Sequence, residues 1–121
     1  MSTWTAEELA ALDSVHEIRV AGRRGDGSLR KLVTIWNVVV DGAVYVRSVR
    51  GSNGRWYQAV LRHSDGVINW DGNTRDVTYT SDSLHDTEID AAYFAKYGNG
   101  ASTRSIVNVT AKQTTLRVDP N

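Results

Sequence analysis

The residues best suited to chemistry lie together in the middle of the chain, between positions 44 and 57. Arg47, Arg50 and Arg55 surround a turn of Gly, Ser and Asn residues between a predicted strand and a predicted helix. Backbone N–H groups at the start of a helix and nearby guanidinium groups form a typical site for an anion such as phosphate. Trp56 and Tyr57 follow directly and offer aromatic surface to a flat group. The segment therefore predicts binding of a phosphate-bearing ligand.

The charges are distributed unevenly, although the formal net charge is zero. Residues 19–62 carry nine of the 14 basic residues and only two of the 14 acidic residues. This segregation predicts an electropositive surface on the first half of the fold. Basic and aromatic residues together also leave nucleic-acid binding open. The neutral overall charge and the lack of a recognisable nucleic-acid-binding motif disfavour that alternative.

The sequence gives little support to other kinds of site. There is no cysteine, which excludes disulfides, thiol nucleophiles and thiolate metal sites. His16, His63 and His85 lack metal-ligand spacing, so we expect no metal site. Neither a carboxylate pair nor a nucleophile motif stands out, and we assign no catalytic residue.

Length and composition limit the class of protein to which the chain can belong. The 121 residues, with 40% hydrophobic and 23% charged residues, predict one domain over residues 1–121. No segment is apolar enough to span a bilayer, and the N-terminus lacks the features of a signal peptide. We therefore expect a cytoplasmic protein without membrane contacts.

Periodicity and turn residues predict the elements that position the arginines. Helices are predicted over residues 6–13, 54–63 and 84–97. Strands are predicted over residues 16–20, 31–40, 43–49, 66–70, 74–80, 105–110 and 114–118. Many antiparallel strands with short helices between them indicate an α+β, mainly β fold built around a small barrel.

Local signals mark where several of these elements begin and end. Thr5 and Glu8 form a capping box for the first helix, whereas Ser52 or Asn53 is expected to cap the second. Gly98 is placed to end the third helix. The remaining assignments are hairpin turns at Asp26-Gly27, Asp41-Gly42 and Asp71-Gly72, helix-start acids at Asp86, Glu88 and Asp90, and Pro120 beyond the last strand.

Motifs spread over nearly the whole chain resemble a known family. They are Trp4-Thr5, Glu8-Leu9, Val33-Thr-Ile-Trp36, Tyr45-Val-Arg-Ser-Val49, Arg55-Trp-Tyr57, and Asp90-Ala-Ala-Tyr with Lys96-Tyr-Gly98. The family is the bacterial domain-of-unknown-function family 2255. Residues 33–77 also resemble the flavin-binding split-barrel superfamily, which includes pyridoxamine-phosphate-oxidase-like proteins and deazaflavin-dependent nitroreductases.

The resemblance implies a split β-barrel with short flanking helices, assembled as a homodimer with FMN or a deazaflavin in a groove at the subunit interface. It places the cofactor phosphate on Arg47, Ser48, Arg50, Gly51 and Arg55. It places the ring system along Thr34, Ile35 and Trp36, with Trp56 and Tyr57 beside the cofactor or supporting the helix. The turn lacks the lysine that deazaflavin enzymes often carry.

Alternatives to this assignment stay open from the residues themselves. Trp36 and Trp56 also suit core positions, and the three arginines also suit an exposed or ion-paired surface. The resemblance implies a flavin- or deazaflavin-binding protein of oxidoreductase or nitroreductase type, in which the cofactor supplies the chemistry. A cofactor-binding or sensor module without turnover, and a groove that binds no cofactor, are the alternatives. The sequence does not identify a substrate.

Overall fold

The computed structural model describes residues 3–121. This part of the chain contains seven strands and five α-helices. Their bounds are α1 Ala6–Ser14, β1 Ile18–Gly22, β2 Val33–Ile35, β3 Val38–Val40, β4 Ala43–Val46, α2 Arg55–Arg62, β5 Asp65–Trp70, β6 Asn73–Ser81, α3 Asp86–Tyr97, α4 Ala101–Val107, α5 Val109–Lys112 and β7 Leu116–Pro120. A 3₁₀ turn, Gly51–Asn53, precedes α2.

The strands form one antiparallel sheet in the order β2-β1-β5-β6-β7-β4-β3. Only Trp36 and Asn37 connect β2 to β3, yet these strands lie at opposite edges of the sheet. A flat sheet of seven strands would separate its edges by about 29 Å, whereas this connection spans about 11 Å at most. The sheet must therefore curl until its two edges approach each other at Trp36-Asn37.

Two hydrophobic clusters hold the curled sheet and its helices together. The cluster inside the barrel contains Trp4, Leu12, Ile18, Val20, Val44, Val46, Tyr57, Val60, Ile68, Trp70, Val77, Tyr79, Leu116 and Val118. The second cluster packs α3 and the segment after it against β3 and β4, through Val38, Tyr45, Ile89, Tyr93, Ile106 and Ala111. The second cluster thereby places α3 and α4 beside β4, which Arg47 directly follows.

Several local predictions are confirmed. The Thr5 hydroxyl accepts from the Glu8 N–H at 3.1 Å, and the Glu8 carboxylate accepts from the Thr5 N–H at 2.9 Å, as a capping box requires. Asp41-Gly42 and Asp71-Gly72 adopt positive φ at both residues, the conformation of type I′ hairpin turns. Gly98 follows α3 with a φ of 84°.

The long strand predicted over residues 31–40 is wrong in one respect: it is two strands broken at Trp36-Asn37. The backbone and side chain of Asn37 bond to α1 and α3 instead of a neighbouring strand. The Asn37 Nδ2 group donates to the Leu12 carbonyl at 3.0 Å, while the Asn37 carbonyl accepts from Lys96 Nζ at 2.9 Å. These contacts join residues distant in sequence, so local periodicity does not reveal them.

The strand predicted over residues 105–110 is also wrong, because α4 and α5 occupy this region. The Asn108 side chain accepts from the Ala111 N–H at 2.8 Å and caps α5. Pro120 lies within β7, opposite Val77, and not beyond the strand. Gly54 stands at the N-cap of α2 in place of Ser52 or Asn53, which belong to the 3₁₀ turn.

Between residues 3 and 121, no helix has the length and apolar character needed to cross a bilayer.

Candidate functional site

A groove of about 560 Å³ runs along the edge strand β2 to the start of α2. Residues of β2 form an apolar side of the groove. α2 and the turn before it form one end, and α4 also contributes to the lining. The lining residues are Val33, Thr34, Ile35, Trp36, Arg47, Ser48, Val49, Arg50, Gly54, Arg55, Trp56, Ser102, Ser105 and Ile106.

The groove brings together eight of the ten residues predicted to bind a cofactor: Thr34, Ile35, Trp36, Arg47, Ser48, Arg50, Arg55 and Trp56. Gly51 and Tyr57 do not line it. Gly51 is buried against Thr110 with a φ of 63°, and Tyr57 belongs to the core of the barrel. These two residues support the turn and the helix, whereas the other eight line the groove.

Arg47 is buried and fully paired within the protein. Its Nε donates to the Thr115 hydroxyl at 2.9 Å, and its terminal nitrogens reach Asp90 at 2.6 Å, Asp86 at 3.2 Å and the Ile106 carbonyl at 3.3 Å. The exposed hairpin position considered for Arg47 is therefore wrong. With its donors already engaged, Arg47 is poorly suited to hold a phosphate directly, and it instead joins α3, α4 and Thr115, just before β7, to the segment that follows β4.

The acidic residues of α3 were predicted only to stabilise the start of the helix, and two of them have a further role. Asp86 and Glu88 lie in the first turn, as expected, but Asp90 lies a turn further on. Asp90 bridges two cations, because its second oxygen also pairs with Lys112 Nζ at 2.8 Å. Asp86 and Asp90 are therefore the counter-ions of a buried arginine, in addition to any effect on the helix dipole.

Arg50 and Arg55 are the exposed cations of the groove lining. Within residues 3–121 neither forms an ion pair. Both lie at the N-terminal end of α2: Arg50 precedes the 3₁₀ turn, and Arg55 is the first residue of the helix. The N-cap residue of α2, Gly54, has no side chain to bond the first N–H groups. A Cβ atom on Gly54 would lie 2.2 Å from the Ser48 hydroxyl, so glycine permits the close approach of turn and strand. Two free guanidinium groups thus accompany the uncapped start of α2, and this end of the groove favours an anion.

The opposite part of the groove is apolar and aromatic. Val33, Ile35 and Trp36 line it from β2 and its end, and Trp56 lines it from α2. β2 pairs only with β1 among the described strands, so its outer backbone edge is free to bond a ligand. This part of the groove suits a flat ring system whose edge carries hydrogen-bonding groups.

Sequence reasoning missed the contribution of α4. Ser102, Ser105 and Ile106 line the groove from this helix, and the strand predicted over residues 105–110 covers only its last three residues. The Ser105 hydroxyl donates to the Ala101 carbonyl at 3.1 Å and keeps its acceptor capacity. The Asn cap at position 108 was the available signal that helices occupy this region.

Trp36 is held from behind by aromatic and hydrogen-bonding contacts. Its ring stacks on Tyr97 with centroids 3.9 Å apart and planes 3° from parallel. Burial raises the pKa of Tyr97 to about 12, so this hydroxyl stays protonated at neutral pH. Burial also lowers the pKa of the neighbouring Lys96 to about 8, although Asp13 opposes the shift.

The curled sheet, with its groove along one edge, defines a split β-barrel, and the predicted fold class is confirmed. The chain belongs to the DUF2255 family, described as uncharacterized protein conserved in bacteria, whose model matches residues 8–118. Comparison with functionally curated proteins gives no significant match.

Solved structures share this fold at low sequence identity. HutZ, the heme storage protein from Vibrio cholerae, is 12% identical with a TM-score of 0.70, covering 100% of this chain and 92% of HutZ. A FAD-binding protein from Mesorhizobium loti is 17% identical with a TM-score of 0.59, covering 98% and 91%. An F420 reductase is 11% identical with a TM-score of 0.56, covering 93% and 91%. Proteins of this fold thus include ones named for a heme, a flavin and a deazaflavin.

Proposed function

We propose that the protein binds a phosphate-bearing flavin or deazaflavin in the groove and acts as an oxidoreductase-like protein of the split-barrel type. One observation carries the proposal: a single groove combines a free arginine pair at an uncapped helix start with an apolar wall along an open strand edge. The names of the FAD-binding protein and the F420 reductase support the same class of ligand.

The groove residues fit such a cofactor at both ends. Arg50 and Arg55 would hold the phosphate with the first N–H groups of α2, by charge-assisted hydrogen bonds. The backbone edge at Thr34 and Ile35 would orient the ring system, and Trp36 and Trp56 would exclude water from it. The bound cofactor would supply the hydride or electron chemistry. Arg47 would contribute by fixing the turn, since its own donors are occupied.

A heme is a poorer fit to these residues. Among the groove-lining positions in the described part of the chain, none is a His, Cys, Met or Tyr, the usual axial ligands of heme iron. His16, His63 and His85 all lie outside the lining. The groove therefore favours a flavin or deazaflavin over the ligand for which HutZ is named.

We further propose that two copies of the chain assemble around the groove. Three apolar side chains in or near the segments that line the groove are exposed to solvent. Their exposed fractions are 41% for Leu29, 39% for Leu32 and 58% for Val49. Val49 lines the groove, and Leu29 and Leu32 lie in the loop that leads into β2. A second copy would bury these side chains and cover the open side of the cofactor.

Titration of the purified protein with FMN, FAD and F420 tests the proposal. We expect micromolar or tighter binding of at least one, with a perturbed absorbance spectrum of the bound ring. Reduction of the bound cofactor by NAD(P)H or by reduced F420 would identify an enzyme, while tight binding without reduction would identify a binding or sensor module. Affinity weaker than about millimolar for all three would refute the proposal.

A further inference from the structure

The connection between β2 and β3 is fixed by a hydrogen-bond network on the side away from the groove. Asn37 is completely buried, and its Nδ2 group donates to the Leu12 carbonyl near the end of α1 at 3.0 Å. The Asn37 N–H donates to the Tyr97 hydroxyl at 3.3 Å. Because Asn37 directly follows Trp36, these bonds constrain the backbone that carries the indole into the groove lining.

Lys96 is the centre of this network. Its ammonium group donates to the Leu12 carbonyl at 3.0 Å, the Asn37 carbonyl at 2.9 Å and the Asn37 side-chain oxygen at 3.2 Å. All three N–H donors of the charged amine therefore have an acceptor. A lysine in the last turn of a helix usually interacts with the carbonyls of its own helix. Lys96 instead reaches across to join α3, the end of α1 and the β2–β3 connection.

Tyr97 completes the support of Trp36. Its ring stacks against the indole at 3.9 Å, and its single hydroxyl hydrogen has two acceptors in reach, the His16 carbonyl at 2.7 Å and the Asn37 carbonyl at 3.1 Å. The His16 ring meets both aromatic rings edge-on, at 6.0 and 5.5 Å. Tyr97 does not line the groove, so it covers the indole from behind while Trp36 meets the ligand space.

We propose that Lys96 is a positioning residue for the groove. Through Asn37 it fixes Trp36, backed by Tyr97, as a rigid wall against which a planar ring lies. This inference rests on the proposed function, because a rigid aromatic wall affects binding only if the ligand is flat. Lys96 itself does not touch the ligand space, and the loss of its bonds changes affinity by freeing Trp36.

The substitution Lys96→Met separates positioning from folding. Methionine keeps the length of the apolar stem but removes the three donors. The Leu12 carbonyl keeps its bond from Asn37 Nδ2, and the Asn37 carbonyl keeps the Tyr97 hydroxyl within 3.1 Å, so the main loss is the bond to the Asn37 side-chain oxygen. The variant is therefore expected to fold. Arg62→Met, at an exposed position outside the groove lining, is the control. Tyr97→Phe is the second variant, since it removes the hydroxyl bonds and keeps the stacked ring.

The readouts are the indole N–H signal of Trp36 in a two-dimensional NMR spectrum without ligand, assigned with Trp36→Phe, and the FMN, FAD and F420 affinities. In Lys96→Met we expect a shifted or broadened Trp36 signal, unchanged signals of Trp4 and Trp70, and roughly tenfold weaker binding of the preferred cofactor. Tyr97→Phe should change the same signal by a smaller amount, and Arg62→Met should leave it in place.

An unmoved Trp36 signal in Lys96→Met would overturn the inference, as would a lower melting temperature without any loss of affinity. If the wild-type protein binds none of the three cofactors, the proposed function fails. In that case the Trp36 signal alone decides whether Lys96 positions the indole.

Discussion

At the scale of single residues, the three arginines of the groove have two different roles, which the sequence alone does not distinguish. Arg47, Arg50 and Arg55 surround the same turn, but only Arg50 and Arg55 are exposed and unpaired in the described chain. The partners of Arg47 lie 39 and 43 residues away in α3. Sequence reasoning could therefore find the basic cluster, but it could not tell a buried ion pair from a free cation.

Replacing Arg47 tests this separation of roles. Arg47→Met is expected to lower the free energy of unfolding by about 3 kcal/mol, since it leaves Asp86 and the Thr115 hydroxyl without their buried donor. The cost lies at the lower end of the range for buried pairs because Asp90 keeps Lys112 and both carboxylates are partly exposed. Urea denaturation followed by circular dichroism measures it. Arg50→Met is the control, with a change within about 0.5 kcal/mol; equal costs would contradict the assignment.

At the scale of elements, the sequence predicts what local chemistry decides. The capping box at Thr5 and Glu8 and the two Asp-Gly hairpin turns follow from neighbouring residues, and each is confirmed. The break at Trp36-Asn37 depends on bonds to α1 and α3, which long-range packing alone creates. The same holds for α4, where branched residues suggest a strand but tertiary contacts and the Asn108 cap stabilise helices.

The turn that carries Arg50 provides a second stability test. Gly51→Ala is expected to cost roughly 1–3 kcal/mol, because the residue has a φ of 63° and a Cβ would lie 2.3 Å from the Thr110 methyl group. Gly25→Ala is the matched control, since nothing lies within 4 Å of its Cβ position and its φ is not positive. Thermal unfolding of both variants measures the difference. Similar melting temperatures would show that the turn tolerates a side chain at Gly51.

At the scale of the whole molecule, a short connection forces a seven-stranded sheet to curl, and the curl creates the groove along its edge. Buried ionisable groups accompany this packing. Burial lowers the pKa of Lys96 to about 8, raises that of Tyr97 to about 12, and raises the pKa values of Tyr79 and Tyr93 further. Stability should therefore depend on pH in the alkaline range.

Lys96 and the buried tyrosines change the free energy of unfolding with pH in opposite directions. Between pH 8 and about 10 the unfolded lysine still binds a proton that folded Lys96 has released, so the free energy of unfolding should rise with pH. Above about pH 10 the unfolded tyrosines lose protons that the folded ones retain, so stability should fall. Urea denaturation at unit pH intervals from 7 to 11 measures both trends. Lys96→Met should abolish the rise and keep the fall; a rise that persists in this variant would contradict the assignment.

Assembly can be tested at the same scale. Light scattering of the eluting protein is expected to give twice the mass of the 13.4 kDa chain. The double variant Leu32→Glu and Val49→Glu should shift the mass toward one chain, because two charges would then be buried in the interface. Leu84→Glu, at the most exposed large apolar side chain of the described residues, is the control. A wild-type monomer that still binds a cofactor would show that one copy completes the site.

The central claim is that Arg50 and Arg55 hold a cofactor phosphate, and the affinity of the double variant Arg50→Gln and Arg55→Gln tests it most directly. Two charge-assisted hydrogen bonds are worth about 3–6 kcal/mol together, so the dissociation constant of the preferred cofactor should rise at least about a hundredfold. The melting temperature without ligand should stay the same, and Arg62→Gln, also at an exposed position, should bind like the wild type. Unchanged affinity in the Arg50/Arg55 variant, with cofactor still bound, would contradict the account.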